Sequence, residues 1–314
     1  MPTITQLQYI LAVQKNRHFG RAAEECHVSQ PSLSAQIQKA EEELGVILFD
    51  RSKKPILTTE KGKKIIEQAK LILREHSKLY DLGTEEHLVA GNFHLGVIPT
   101  LSSYVVPLFI ESFSKKYPKV SLRISEMKTQ DIVRALHEDQ LDAGLLVTPL
   151  HDSTITERKL FLEPFYVFAS DDHELIRKKA VKDTELDANS VWLLEEGHCF
   201  RDQVIRVCSL RNKSQVLQNV SFESGSLETL IHIVRRGSGY TLLPHLATLE
   251  LPEKEKKKNL KKFQKPVPTR EVSLVYSRSF LKQAVMDALE EEITSHLPKE
   301  LKNIKSSQIE VVEI

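Results

Sequence analysis

The segment richest in potential chemistry is Leu193-Leu194-Glu195-Glu196-Gly197-His198-Cys199-Phe200-Arg201-Asp202-Gln203-Val204-Ile205-Arg206-Val207-Cys208. A thiolate is the reactive form of cysteine, and its pKa falls beside cations or at a helix N-terminus. Cys199 has both in reach: His198 and Arg201 flank it, and Gly197 can turn the chain into a helix beginning near Cys199 whose free N–H groups face the sulfur. Attack of such a thiolate on a peroxide leaves a sulfenic acid, which a second thiol can close into a disulfide. Cys208 is the nearby candidate. A helix across this nine-residue spacing rises about 13.5 Å and puts the two sulfurs on opposite faces, whereas a disulfide needs Cα atoms within about 7 Å. A helical segment would therefore have to unwind on oxidation and repack Val204, Ile205 and Val207. The competing reading is that both cysteines are small buried apolar residues, the commonest fate of a free thiol. Spacing alone leaves both open.

The elements that hold this segment belong to a chain of 314 residues, 40% hydrophobic, with 44 Lys and Arg against 43 Asp and Glu. That length allows two or more domains of roughly 100–200 residues each. Composition excludes a disordered chain and a small disulfide-stapled one. Cys26, Cys199 and Cys208 are too few for a secreted disulfide framework and lack the spacing of a zinc site. The start MPTITQLQYI has no signal-peptide pattern, and no apolar run approaches the roughly 18 residues of a membrane span, so the expected location is the cytoplasm, away from membranes. The near-neutral total hides an asymmetry. Residues 1–80 carry 13 Lys and Arg against 9 acids, which leaves the remainder slightly acidic. Neither a phosphate loop nor a Ser/His/Asp arrangement stands out, so no cofactor and no metal are expected.

Apolar repeats at Leu7, Ile10, Leu11 and Val13, then at Phe19, Ala22, Ala23 and Cys26, predict two short helices. Cys26 follows the repeat and is expected to pack. Ser29 suits an N-cap and Pro31 the first turn of a third helix, with a stripe of Leu33, Ile37, Ala40 and Leu44 that stops near Gly45. Val46 to Thr58 reads as two short strands around a basic turn, completing a winged helix-turn-helix. Thr59 to about Val89 predicts a long amphipathic helix with Ile65, Ile66, Ala69, Ile72, Leu73, Leu79 and Leu82 on its apolar side. It reads as a linker and dimer helix, with a solvated connector or part of the next core as alternatives.

From Phe93 the pattern alternates between short apolar runs (Phe93 to Ile98, Ser121 to Ser125, Ala143 to Val147) and helical stretches (Tyr104 to Tyr117, Asp131 to Asp139), predicting βαβ units and a mostly parallel sheet. Further strands are expected at Leu160 to Ala169, Val191 to Leu194, Val220 to Glu223, Tyr240 to Leu243 and Val272 to Tyr276, and helices at Leu227 to Arg236 and Phe280 to Leu297. The Lys/Glu run Leu251 to Lys265 reads as a polar loop and Pro298 to Ile314 as a partly disordered tail. The expected division is 1–58 for DNA binding, 59–89 for the linker, 90–300 for a two-lobed regulatory domain and 301–314 for the tail. The first lobe covers about 90–163 and 268–300, the second about 164–267.

In a helix-turn-helix the second helix enters the major groove. Its candidates for DNA contact are Ser29, Gln30, Pro31, Ser32, Ser34 and Gln36, with Arg51 and Lys53 on the wing for phosphate or minor groove. A small structural helical module is the alternative. Ala22-Ala23, Val28-Ser29-Gln30-Pro31-Ser32-Leu33-Ser34, Gln36-Ile37, Glu41, Leu44-Gly45, Leu48-Phe49, Arg51, Leu57-Thr58 and Gly62 resemble the N-terminal signature of the LysR-type transcriptional regulators. Ala40 departs from it, since the family usually places a leucine there. The resemblance implies a winged helix-turn-helix, a dimerising linker helix and an α/β effector domain of two Rossmann-like, periplasmic-binding-protein-like subdomains.

Gly197-His198-Cys199, Arg201-Asp202-Gln203, Cys208, Ser226-Leu227-Glu228-Thr229-Leu230, Gly237-Ser238-Gly239 and Thr241-Leu242-Leu243-Pro244 extend the likeness, as far as about Tyr276, to the peroxide-sensing members of that family. By resemblance Cys199 is peroxidatic and Cys208 resolving, with Thr100, Thr129, His198, Arg201 and Asp202 positioning peroxide or supporting the thiolate, and Arg270 near them. The implied partners are promoter DNA, hydrogen peroxide, RNA polymerase and further copies of the chain, as homodimer or homotetramer. Two other functions remain open: a regulator that binds a small organic effector between its lobes, and a thiol peroxidase tethered to DNA.

Overall fold

In the computed structural model, which describes residues 1–82, 89–208, 224–277, 282–302, 304 and 306–313, two compact units form, Met1–Glu85 and Glu86–Ile314. The first begins with reciprocal capping: Thr3 Oγ1 accepts from the Gln6 N–H, and the Gln6 carboxamide oxygen accepts from the Thr3 N–H. Helix α1 (Ile4–Asn16) follows, then α2 (Phe19–Glu25), capped by His18, and α3 (Gln30–Leu44). Ser29 caps α3, Pro31 sits in its first turn and Gly45 ends it at φ 65°. Strands β1 (Phe49–Asp50) and β2 (Leu57–Thr58) pair antiparallel as the wing, and α4 (Glu60–Leu82) closes the unit.

Ile66 and Ala69 of α4 are buried in the same core as Ile10, Val13, Leu33, Ile37 and Phe49. Part of the apolar face of α4 thus covers its own helix-turn-helix. Leu71 and Ile72 stay 36% and 42% exposed. Gly62 has no room for a side chain, because a Cβ there would lie 2.4 Å from the Leu48 carbonyl oxygen.

The second unit opens with β3 (Gly91–Val97), α5 (Pro99–Ser102), α6 (Val106–Lys116), β4 (Val120–Glu126), α7 (Thr129–His137) and β5 (Ala143–Thr148). β3 pairs parallel with both β4 and β5, the arrangement that βαβ crossovers impose. The long β6 (Thr156–Ala169) then carries the chain from one core to a second. There β7 (Ala180–Val181), α8 (Cys199–Val207), α9 (Leu227–Arg236), β8 (Tyr240–Pro244), α10 (His245–Leu249), α11 (Glu253–Lys258) and β9 (Leu260–Phe263) follow. The return strand β10 (Val267–Tyr276) lies antiparallel to β5 and β6, after which come α12 (Gln283–His296), α13 (Lys299–Lys302) and β11 (Ile309–Val311).

Four expectations change. The sheet is mixed rather than mostly parallel, because the outgoing β6 and returning β10 pair antiparallel with each other, β10 with β5, and β6 with β8 and β9. Val191 to Leu194 contributes only an isolated bridge between Val191 and Tyr240. The Lys/Glu run holds α11 and β9, since Phe263 is buried and the Asn259 carboxamide donates to the Ala169 carbonyl. The tail is ordered where described: β11 pairs parallel with β10, and Val312 is buried in the second lobe's core with its N–H on the Thr269 carbonyl. The expected strand at Val220 to Glu223 lies outside the described residues.

Val312 therefore gives a stability test. Val312→Asp would put a charge where a valine is buried, and is expected to cost about 2 kcal/mol or more in chemical denaturation, against little change for Asp at exposed Val311.

Candidate redox site

Helix α8 begins where Gly197, at φ 87°, turns the chain, and His198 takes the N-cap position without a side-chain capping bond. Cys199 is the first helical residue and Cys208 the C-cap. Both are free thiols, 7% and 6% exposed, and they sit in different cores: Cys199 in that of the first lobe, Cys208 in that of the second. The spacing therefore spans a helix bridging two hydrophobic cores.

Around Cys199 the structure gathers Ile98, Pro99, Thr100, Lys128, Thr129 and His198 in a narrow crevice. Thr129 opens α7, and its buried hydroxyl lies beside the Cys199 thiol. Lys128, just before it, ties the lobes together by pairing with Glu195 at 2.9 Å and donating to the Glu196 carbonyl. Thr100 lies in α5, and Arg270 donates to its hydroxyl at 2.9 Å and to its carbonyl at 3.3 Å. Arg270 is wholly buried, ion-paired with equally buried Glu163 at 2.7 Å and placed over the Phe200 ring. The other Glu163 oxygen accepts the Leu246 N–H.

The two cations that flank Cys199 in sequence do not supply its positive field. His198 is buried, and loss of hydration pushes its pKa below the usual histidine value despite a contact with Glu195 at 3.4 Å. Arg201 donates to the Leu194 carbonyl. Burial pushes the Cys199 thiol up, against the opposing pull of the Thr129 hydroxyl, the Arg270 charge and the Phe200 amide; exposed Asp202 pushes it up further. Desolvation outweighs the helix N-terminus, so the resting thiol is neutral where the sequence suggested a lowered pKa. Cys208 is pushed up to about 12 by burial, with Tyr240 donating to its sulfur.

Sequence reasoning missed Glu163. Its signal was a lone carboxylate in the apolar run Leu160 to Phe168, which a buried strand tolerates only with a partner. Tyr240 and Val312 left no chemical signal.

In the helix-turn-helix unit, Ser29, Gln30, Pro31, Ser32 and Gln36 are exposed along the start and outer side of α3, Ser34 is half-buried, and Lys53 lies exposed on the wing turn. Gln36 accepts a hydrogen bond from Gln6. Arg51 is engaged within the unit, donating to Ser34 and pairing with Glu41, whose other oxygen accepts the Leu48 and Phe49 amides. Among the described residues no group of His, Cys, Asp and Glu is arranged to hold a metal, and no helix is long and apolar enough to cross a membrane.

Residues 4–63 match the model of the bacterial regulatory helix-turn-helix protein, lysR family, and residues 86–298 that of the LysR substrate binding domain. The chain is 34% identical over 307 residues to the DNA-binding transcriptional dual regulator OxyR of Escherichia coli, covering 95% of this chain and 98% of that protein. It is similar to a full-length OxyR cysteine-to-aspartate variant from Pseudomonas aeruginosa, with TM-score 0.72, 34% identity and coverage of 94% and 98%. It also resembles a hydrogen peroxide-bound cysteine-to-serine mutant of OxyR from Corynebacterium glutamicum, with TM-score 0.61, 25% identity and coverage of 94% and 92%.

The raised thiol pKa fixes a sign. The neutral thiol favours the fold at pH below the unfolded thiol value of about 8.5, and that contribution is lost as pH rises through the higher folded value. Reduced protein should therefore lose stability more steeply than Cys199→Ser in alkaline denaturation series. Thr129→Val removes the hydroxyl that most favours the thiolate, and stopped-flow measurement should show peroxide reacting with Cys199 about tenfold more slowly.

Proposed function

This chain belongs to the LysR family of bacterial regulators, and we propose that it is a DNA-binding transcriptional activator switched on by hydrogen peroxide. The observation that carries this reading is the placement of Cys199 at the start of α8, in a crevice with Thr100, Thr129 and, one contact away, Arg270, while Cys208 ends the same helix. The reaction balances in two steps. The Cys199 sulfur attacks one peroxide oxygen, the O–O bond breaks, and the departing hydroxide takes a proton to leave water and a Cys199 sulfenic acid. The Cys208 sulfur then displaces that hydroxyl, forming the Cys199–Cys208 disulfide and a second water.

Two hydroxyls near the sulfur suit this substrate, because a hydroxyl both donates and accepts as peroxide does. The Arg270 charge and the N-terminal amides of α8 favour the thiolate that forms when Cys199 gives up its proton before attack, the proton that then neutralises the departing hydroxide. His198, through Glu195, and Arg201, through the Leu194 carbonyl, hold the loop before the cysteine, while Asp202 stands exposed in the first turn of α8. Exposed Ser29, Gln30, Pro31, Ser32 and Gln36, with Ser34 beside them, form the face that enters the major groove, and Lys53 reaches phosphate. Arg51 braces wing against α3 and lends its charge to that surface. The exposed Leu71 and Ile72 give a second copy an apolar seam on α4, whose described helix ends at Leu82 rather than near Val89, consistent with a linker that dimerises and with assembly into a tetramer. We assign 1–58 to DNA binding and 90–300, with the C-terminal β11 packed into it, to the two-lobed sensor, and RNA polymerase is a further partner in this reading.

Mass spectrometry after one equivalent of peroxide should find a Cys199–Cys208 disulfide, with promoter activation lost in Cys199→Ser. A pair that stays reduced while control thiols oxidise, or a peroxide response retained by Cys199→Ser, would overturn this function.

A further inference from the structure

Disulfide formation has to bring the Cys199 and Cys208 sulfurs together, and the contacts that hold Cys208 in the second lobe's core are separate from those around Cys199. Tyr240 is completely buried, and its hydroxyl donates to the Cys208 sulfur at 3.7 Å with the Asp187 carbonyl 3.2 Å away. Once the sulfur leaves, the phenol proton still has that carbonyl, so departure orphans no buried donor. One turn earlier in α8, the completely buried Gln203 donates to the Val312 carbonyl at 2.7 Å. Val312 is itself held by the Thr269 carbonyl and the second core. Unwinding α8 breaks both attachments.

We infer that Tyr240 and the C-terminal strand latch the Cys208 end of α8, making them positioning elements for ring closure rather than for sulfenic acid formation. The inference rests on the proposed redox cycle. The step it governs needs no further reactant: the Cys199 sulfenic acid and the Cys208 thiol give a disulfide and water. The latch keeps Cys208 away from the oxidised sulfur until local opening of α8, so the sulfenic acid persists for a time set by Tyr240 and Val312.

The test uses the full chain. In a Cys199→Ser background, which lacks the peroxide chemistry, iodoacetamide labelling of Cys208 followed by mass spectrometry reads how often the sulfur leaves its pocket. Tyr240→Phe should raise that rate about three- to tenfold, and a chain ending at Val311 should raise it too. Thr241→Val, which removes a hydroxyl bonded to the Trp192 carbonyl on the same strand, should leave it unchanged. With Cys199 present, Tyr240→Phe should leave dimedone-trapped sulfenic acid formation unaltered and speed disulfide closure by the same factor. An unchanged labelling rate in Tyr240→Phe, or an equal rise in Thr241→Val, would refute the latch. Failure of peroxide to form a disulfide in any variant would instead refute the redox cycle, with the labelling contrast still deciding the latch.

Discussion

Two thiols at opposite ends of one helix, each sealed in a different hydrophobic core, cannot meet while that helix exists. Helix α8 rises about 1.5 Å per residue, and the separation this imposes between Cys199 and Cys208 is far beyond disulfide reach. Any bond between them requires α8 to come apart and at least one thiol to leave its core, which for Cys208 is the one it shares with Phe200, Val204, Val207 and Tyr240. That constraint gives an oxidation a mechanical consequence. A disulfide between two already adjacent cysteines would change little.

The second constraint is the buried pair of Glu163 and Arg270. Each residue lies on one of the two long antiparallel strands, and both side chains are fully removed from water. Such a pair contributes little net stability, but breaking it leaves an unpaired buried charge and costs about 3–5 kcal/mol. It is therefore better understood as fixing a position. Glu163 is tied to the Leu246 amide, Arg270 to Thr100, and Phe200 lies under the guanidinium. The cation is held near the sulfur with most of its charge already answered by Glu163, and burial keeps the resting thiol neutral. A buried thiol in a narrow crevice suits a sensor for a small reactant such as peroxide.

Much of this was readable in the residues. Ser29, Pro31 and Gly45 marked the bounds of α3 because caps and first turns select residue types by local hydrogen bonding and φ. Gly197 marked the turn into α8 for the same reason. The signature of the LysR regulators carried the architecture. What the sequence obscured depends on burial and on distant partners. Sequence neighbours suggested His198 and Arg201 as the thiolate's cations, whereas the charge that acts on Cys199 comes from Arg270, 71 positions along the chain. The polar run from Leu251 and the terminal segment looked unstructured because their order rests on a few inward residues, Asn259, Phe263 and Val312, set among charged ones.

Amide hydrogen exchange across residues 199–208 and 309–312, compared between reduced and peroxide-oxidised protein, tests the central claim most directly. The account predicts that amides of α8 from Gln203 onward and the Val312 amide lose protection when the disulfide forms. A verified Cys199–Cys208 disulfide with α8 and Val312 as protected as in the reduced protein would contradict it.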